Sequence, residues 1–268
     1  MKTILFTSFL LLSFQNLFSQ SADEIWSGVL KHYRNISNYV DEGILINYFP
    51  GNPPISTMDS FYIAMDSHKN VDHWIYRSTG HQGYQYNKTS SQEEGTLTRL
   101  FEIKETVPRS LDMAAASLYA VGGGILDMTA CLMHPNFYGD TKIHPGPAIA
   151  YDTLIRLQDT TISNVKYYQL ELIHSIYLSE EKIRYQKHVL DSIHTVQNIT
   201  VSEESDQQEK PGTRTIITKY FVSTKDGLIH RREQLNISGG TNGMKTILTM
   251  NPKSDVPDFK IYLEKKHE

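Results

Sequence analysis

The chain contains eleven histidines and one cysteine, Cys131. Neither set falls into a metal-binding pattern, since His-Glu-x-x-His and paired cysteines are both absent. His68, His73 and His81, with Asp66 or Asp72, come nearest to a cluster, but their places at turns and strand edges fit solvated histidines better than ligands. His134-Pro135 and His144-Pro145 bracket a loop running from Asn136 to Asp140; it reads as structural punctuation, with a pocket lip as the alternative. For acyl transfer there is no Gly-x-Ser-x-Gly elbow. Ser179 and Lys182 have Ser-x-x-Lys spacing but lack the Ser-Asp-Asn and Lys-Thr-Gly elements that accompany it in serine acyl-enzymes. Gly122-Gly123-Gly124 is not followed by the Lys-Ser/Thr of a phosphate loop, and Asp127 would repel an anion, so a tight bend is expected there. Asp41-Glu42 and Glu93-Glu94 are adjacent acids, which on a strand point to opposite faces; solvated faces are expected for them rather than an acid–base pair. Cys131 lies in Thr-Ala-Cys-Leu-Met and reads as a small buried hydrophobe. No catalytic residue, metal or cofactor is expected, and the chain is read as a protein other than an enzyme.

Charge narrows the partners. The net charge is −4 over 268 residues, which argues against electrostatic binding of nucleic acid. Arg231 and Arg232 form the most basic spot, and because they abut Glu233 they are expected to be a solvated strand edge.

The N-terminus reads as an export signal. Met1-Lys2-Thr3 is a short positive start, an apolar run extends from Ile4 to Phe14, and a polar stretch from Gln15 to Gln20 ends near a small residue. That run is roughly half of the ~20 residues needed to span a bilayer, and no later segment is long and apolar enough. The signal peptide is assigned to residues 1–20, with cleavage near Ser19 or Gln20. No cysteine stands at the cut to take a lipid anchor, so the mature protein is expected to be soluble, in the periplasm or outside the cell. One cysteine also precludes an internal disulfide, leaving stability to core burial.

Residues 21–268 read as a single domain. Ser21-Ala-Asp-Glu24 is a capping box ahead of Ile25, Trp26, Val29, Leu30 and Tyr33 at helical spacing, predicting a helix over about 22–35. Extended segments follow: from Tyr39 to Phe49, ended by Pro50-Gly51-Asn52-Pro53-Pro54, then 61–65, 73–78, 84–87 and 97–104, separated by turns in the manner of an antiparallel meander. In these strands both alternating sets carry apolar groups, so one face is expected to be covered by helices. Residues 110–134 return to helical spacing around the three glycines and read as two short helices. Hairpins follow, with turns at Ser163-Asn164 and Lys225-Asp226-Gly227, and the last strands are placed at 244–250 and 259–263. Residues 177–212 are a polar excursion outside the sheet.

This order of elements, with Tyr39 in the first strand, the stretch from Ser110 to Pro135 as plug helices, and Asp226-Gly227-Leu228-Ile229 in a late hairpin, resembles the periplasmic lipoprotein-carrier superfamily of LolA, LolB and RseB-like proteins. The resemblance implies an α+β fold: a curved antiparallel sheet, or half-barrel, with an N-terminal helix and a helical pair on its concave face around an apolar cavity. The cavity candidates are the alternating apolar residues Phe61, Ile63, Met65, Trp74, Tyr76, Tyr84, Tyr168, Leu170 and Leu172, with Tyr86 in the same stripe. The function expected is an exported binding protein holding a lipophilic ligand or a lipoprotein acyl chain in the bacterial envelope. The alternative is an interaction or envelope-sensing module of the same fold with a solid core and an envelope protein as partner.

Overall fold

The computed structural model describes residues 20–65, 71–78, 82–88, 95–99, 106–109, 129, 131–133, 151–181, 183–184, 211–238 and 241–257. Helix α1 (Ala22–Asn35) begins as its sequence dictates. The Ser21 hydroxyl accepts from the Glu24 amide at 3.2 Å and the Glu24 carboxylate accepts from the Ser21 amide at 2.7 Å, so two otherwise orphaned donors are satisfied at once. Ile25, Trp26, Val29 and Tyr33 fall on one face and are buried.

Thirteen strands make one open, curved antiparallel sheet. They are β1 (Asn38–Tyr48), β2 (Ile55–Met65), β3 (Val71–Ser78), β4 (Gln82–Asn87), β5 (Gly95–Arg99), β6 (Thr106–Arg109), β7 (Thr153–Arg156), β8 (Thr160–Ile162), β9 (Val165–Leu178), β10 (Gly212–Ser223), β11 (Ile229–Ser238), β12 (Thr241–Met250) and β13 (Lys253–Ser254). The order across the sheet is β6-β5-β4-β3-β2-β1-β12-β11-β10-β9-β7, with β13 on β1 and β8 on β9. Two meanders therefore meet along a single seam, where Gly43 to Tyr48 of β1 pair with Met250 to Lys245 of β12. Gly43 is required at that seam, because a Cβ there would stand 2.4 Å from the Thr249 carbonyl oxygen.

The predicted turns hold for stated reasons. Ser163 and Asn164 join β8 to β9 with φ of 50° and 65°, a left-handed pair that suits the twist of a two-residue hairpin. Gly227, φ 72°, closes the turn before β11.

Two strand assignments differ from the sequence reading. β2 starts six residues earlier than expected, at Ile55, carried by its ladder to β1. The segment expected at 97–104 is described only to Arg99, within β5, and residues 100–104 lie outside the described residues; β6 is an edge strand holding Pro108, whose missing amide an edge tolerates. β9 runs through Leu178 and β10 starts at Gly212, so both ends of the stretch assigned to the excursion belong to the ladder, with Leu178 opposite Gly212. Residues 1–19, 110–128, 134–150, 185–210 and 258–268 lie outside the described residues. With them lie the signal peptide, the glycine triplet, His68, His81, His134, His144, Lys182 and the strand expected at 259–263.

Candidate functional site: the concave face

Directly opposed residues of an antiparallel pair point to the same face, so the register maps the inner surface row by row. One row crosses β1 to β5 as Tyr39, Ile63, Trp74, Tyr86 and Leu97; the next runs Asp41, Phe61, Tyr76 and Tyr84. In the other meander a row runs Leu45, Leu248, Arg232, Tyr220 and Leu170. Beyond it stand Asn47, Thr246, Gln234, Thr218 and Leu172.

All the cavity candidates lie on this face. Phe61, Ile63, Met65, Trp74, Tyr76, Tyr84, Tyr86, Leu170 and Leu172 are buried in one apolar cluster, and Tyr168 packs against it half-buried. Residues of the opposite phase, Val40, Tyr62 and Ile75, form a second, smaller cluster on the convex face with Ala64 and Val256. The concave cluster takes in the buried face of α1 and residues 131–133, which with Thr129 are the described part of the predicted plug helices. Trp26 of α1 stacks on Tyr220 at 5.2 Å between centroids, Trp74 stacks on Tyr86 at 5.8 Å, and the Tyr86 ring lies over Gly95, where a Cβ would come within 2.3 Å of it. Cys131 is a buried thiol of this cluster, a small core residue.

Buried polarity on this face is sparse and of two kinds. At the foot of α1 it forms a bonded run, although Trp26 Nε1 and His32 Nε2 of that helix have no hydrogen-bond partner among the described residues. The Ile229 amide donates to the Tyr33 hydroxyl at 3.0 Å, Tyr33 leans on Tyr39 with ring centroids 5.8 Å apart, and the Tyr39 hydroxyl donates to Asp41 at 2.6 Å. The other oxygen of Asp41 accepts from the Asn251 amide at 3.1 Å. Burial drives the Asp41 carboxyl up to about 7, outweighing the hydrogen bonds from Tyr39, the Asn251 amide and the Glu42 amide that favour its ionised form. The same burial raises both tyrosines well above the usual phenol range. Asp41 is thus no solvated strand acid, as its sequence suggested, but a fully buried one.

The second kind is Arg232. Expected at a solvated edge, it sits on the interior strand β11 and is 4% exposed, between Leu248 and Tyr220 in the register. Its Nε and Nη1 have no hydrogen-bond partner among the described residues. Its neighbours in sequence face outward: Arg231 pairs with Glu233 at 2.7 Å and lies over the Phe221 ring at 5.5 Å. Another arginine in the concave phase, Arg156, is held by Asp159 at 3.0 Å and caps the Tyr168 ring at 5.3 Å.

Among the described residues no three His, Cys, Asp or Glu side chains converge as a metal site, and no helix is long and apolar enough to cross a membrane. His73 is mostly buried, which lowers its basicity.

The architecture is therefore an α+β half-barrel whose helical elements pack on an apolar concave face. No family model matches the chain, and no curated protein does. Solved structures similar in layout include a LolA superfamily protein from Nitrosomonas europaea, with a TM-score of 0.32 at 10% identity, covering 91% of this chain and 98% of that one. LprF from Mycobacterium bovis gives 0.39 at 8% identity, covering 86% and 91%. Lipoprotein LppX of Mycobacterium tuberculosis gives 0.33 at 6%, covering 85% and 91%. These are likenesses of layout, at identities too low to carry a ligand or an activity across.

Proposed function

We propose that this is an exported, non-catalytic binding protein of the bacterial envelope, whose concave face holds a lipophilic ligand or an acyl chain. The signal-like N-terminus, cut near Ser19 or Gln20, supports export. The observation that carries the ligand reading is the make-up of the inner face. It is a continuous apolar and aromatic surface reaching from Leu97 on β5 to Leu170 and Leu172 on β9, with polar groups confined to a few positions, which is how ligand sites for apolar molecules are built. In this reading Phe61, Ile63, Met65, Trp74, Tyr76, Tyr84, Tyr168, Leu170 and Leu172 contact the chain of the ligand.

Protein purified from its native envelope should yield lipid on solvent extraction, and a fluorescent fatty acid should alter the emission of Trp26 and Trp74. Protein that carries no lipid and leaves both tryptophans unchanged would retire the proposal.

A second reading, an interaction module, is favoured by one patch. Ile44, Ile55 and Met58 at the β1–β2 hairpin are 45%, 55% and 58% exposed, with Tyr48 and Phe49 beside them. Charging this patch with Ile44→Glu and Met58→Glu should remove a co-purifying envelope protein while leaving any bound lipid in place; an unchanged set of co-purifying proteins argues against it.

A further inference from the structure

We infer that the ligand of the concave face is an anionic amphiphile, and that Arg232 receives its carboxylate or phosphate headgroup. The inference rests on the lipophile reading above and adds the ligand's charge and orientation. A guanidinium stays protonated at any ordinary pH and has five N–H donors to satisfy. Leaving such a group buried without an anion or acceptors is costly, so a counter-charge is expected wherever one is found.

Among the described residues, the register row of Arg232 supplies no counter-charge. On the neighbouring strands the positions opposite Arg232 are Leu248 and Tyr220, and the next ones out are Leu45 and Leu170, so none in its row carries a carboxylate. The acid next to it in sequence, Glu233, occupies the opposite phase of β11 and is already engaged by Arg231 at 2.7 Å and Lys245 at 4.0 Å. Arg156 shows what this chain does when a concave-face arginine is meant to be neutralised internally: Asp159, three residues on, takes two hydrogen bonds from one of its nitrogens. Arg232 has no such provision.

Its surroundings also fit a headgroup at a boundary. To one side lie the hydrocarbon and rings of the main cluster, with Trp26 stacked on Tyr220. To the other lies the neutral polar row of Asn47, Thr246, Gln234 and Thr218, in which Thr246 donates to Asn47 at 3.0 Å. An oxyanion at Arg232 would have hydroxyl and amide groups on its outer side and apolar surface for its chain on the inner side. A free inorganic anion would use the first and waste the second.

The test compares cis-parinaric acid with its methyl ester, two fluorescent probes that share a chain and differ in charge. Wild-type protein at neutral pH should bind the acid about tenfold more tightly than the ester, the usual worth of one charge-assisted hydrogen bond. Arg232→Met should bring the two affinities together while keeping the ester's, and Arg232→Lys should restore part of the preference. Millimolar inorganic phosphate should leave the acid bound. Equal affinities in the wild type, a preference that survives Arg232→Met, or displacement by phosphate alone would each overturn the assignment of an anionic amphiphile. In all three cases binding of the ester leaves the lipophile reading standing. Failure of both probes to bind the wild-type protein would instead remove that reading, and this inference with it. Because the acid–ester comparison needs no variant, it decides the matter even if Arg232→Met does not fold.

Discussion

Asp41 and Arg232 lie on the same concave face, each almost wholly removed from water, and their surroundings treat them in opposite ways. Asp41 is reached by the Tyr39 hydroxyl and the Asn251 amide, in a run of contacts that ties α1, β1 and the end of β12 together. Arg232 is set between a leucine and a tyrosine, and its Nε and Nη1 have no hydrogen-bond partner among the described residues. Buried polarity that is fully satisfied fixes one arrangement of the chain, whereas buried polarity left open marks a place where something else completes the bonding.

The largest consequence is a pH effect carried by Asp41. The folded chain keeps this proton up to about pH 7, while an unfolded aspartate releases it near 3.8. Between those values the folded state binds more protons, so the stabilisation from Asp41 is complete below pH 3.8, is lost as pH rises to 7, and changes no further above it. The loss is at most about 4 kcal/mol. Urea midpoints measured from pH 4 to pH 8 should show this decline in the wild type and a shallower one in Asp41→Asn.

Next in size is the contrast between substitutions. Asp41→Ala strips an acceptor from two buried donors and should cost about 3 kcal/mol in urea unfolding. Arg232→Met, which exchanges an unpaired buried charge for hydrocarbon, should leave the ligand-free protein within about 1 kcal/mol of the wild type or make it more stable. A large loss from Arg232→Met would mean that Arg232 is a structural group like Asp41, and the contrast would collapse. The smallest effect lies away from both residues: Ser21→Ala removes one half of the capping box and should cost about 1 kcal/mol, read by thermal unfolding.

Where local chemistry decides structure, the sequence was readable. The capping box of α1 and the Ser163-Asn164 and Gly227 turns are written in single residues, and the apolar alternation of β2 to β4 assigned the stripe from Phe61 to Tyr86 to one face. Long-range pairing was not readable. The first residues of β2, Ile-Ser-Thr-Met-Asp-Ser, have no apolar alternation of their own and are extended because β1 lies alongside. Arg232 was missed for a related reason. In Arg231-Arg232-Glu233 both phases of the strand carry charge, so alternation alone cannot say which phase turns inward; that depends on Leu248 and Tyr220, contributed by two other strands. Asp41 was missed because one of its donors, the Asn251 amide, comes from the far end of the described chain, 210 residues on.

The seam between β1 and β12 has a consequence for how this sheet comes into being. The first strand of the described chain lies in the middle of the sheet, while the sheet's borders, β6 and β7, come from mid-chain. As the chain emerges from its N-terminus, β2 can zip onto β1 at once, but the other side of β1 must wait for Thr241–Met250. Contacts so distant in sequence form slowly, because the loop they close is long. Until β12 arrives, the inner face is split between two half-sheets and neither apolar half is covered by the other. Joining the halves, more than forming either one, is the step that closes the longest loop.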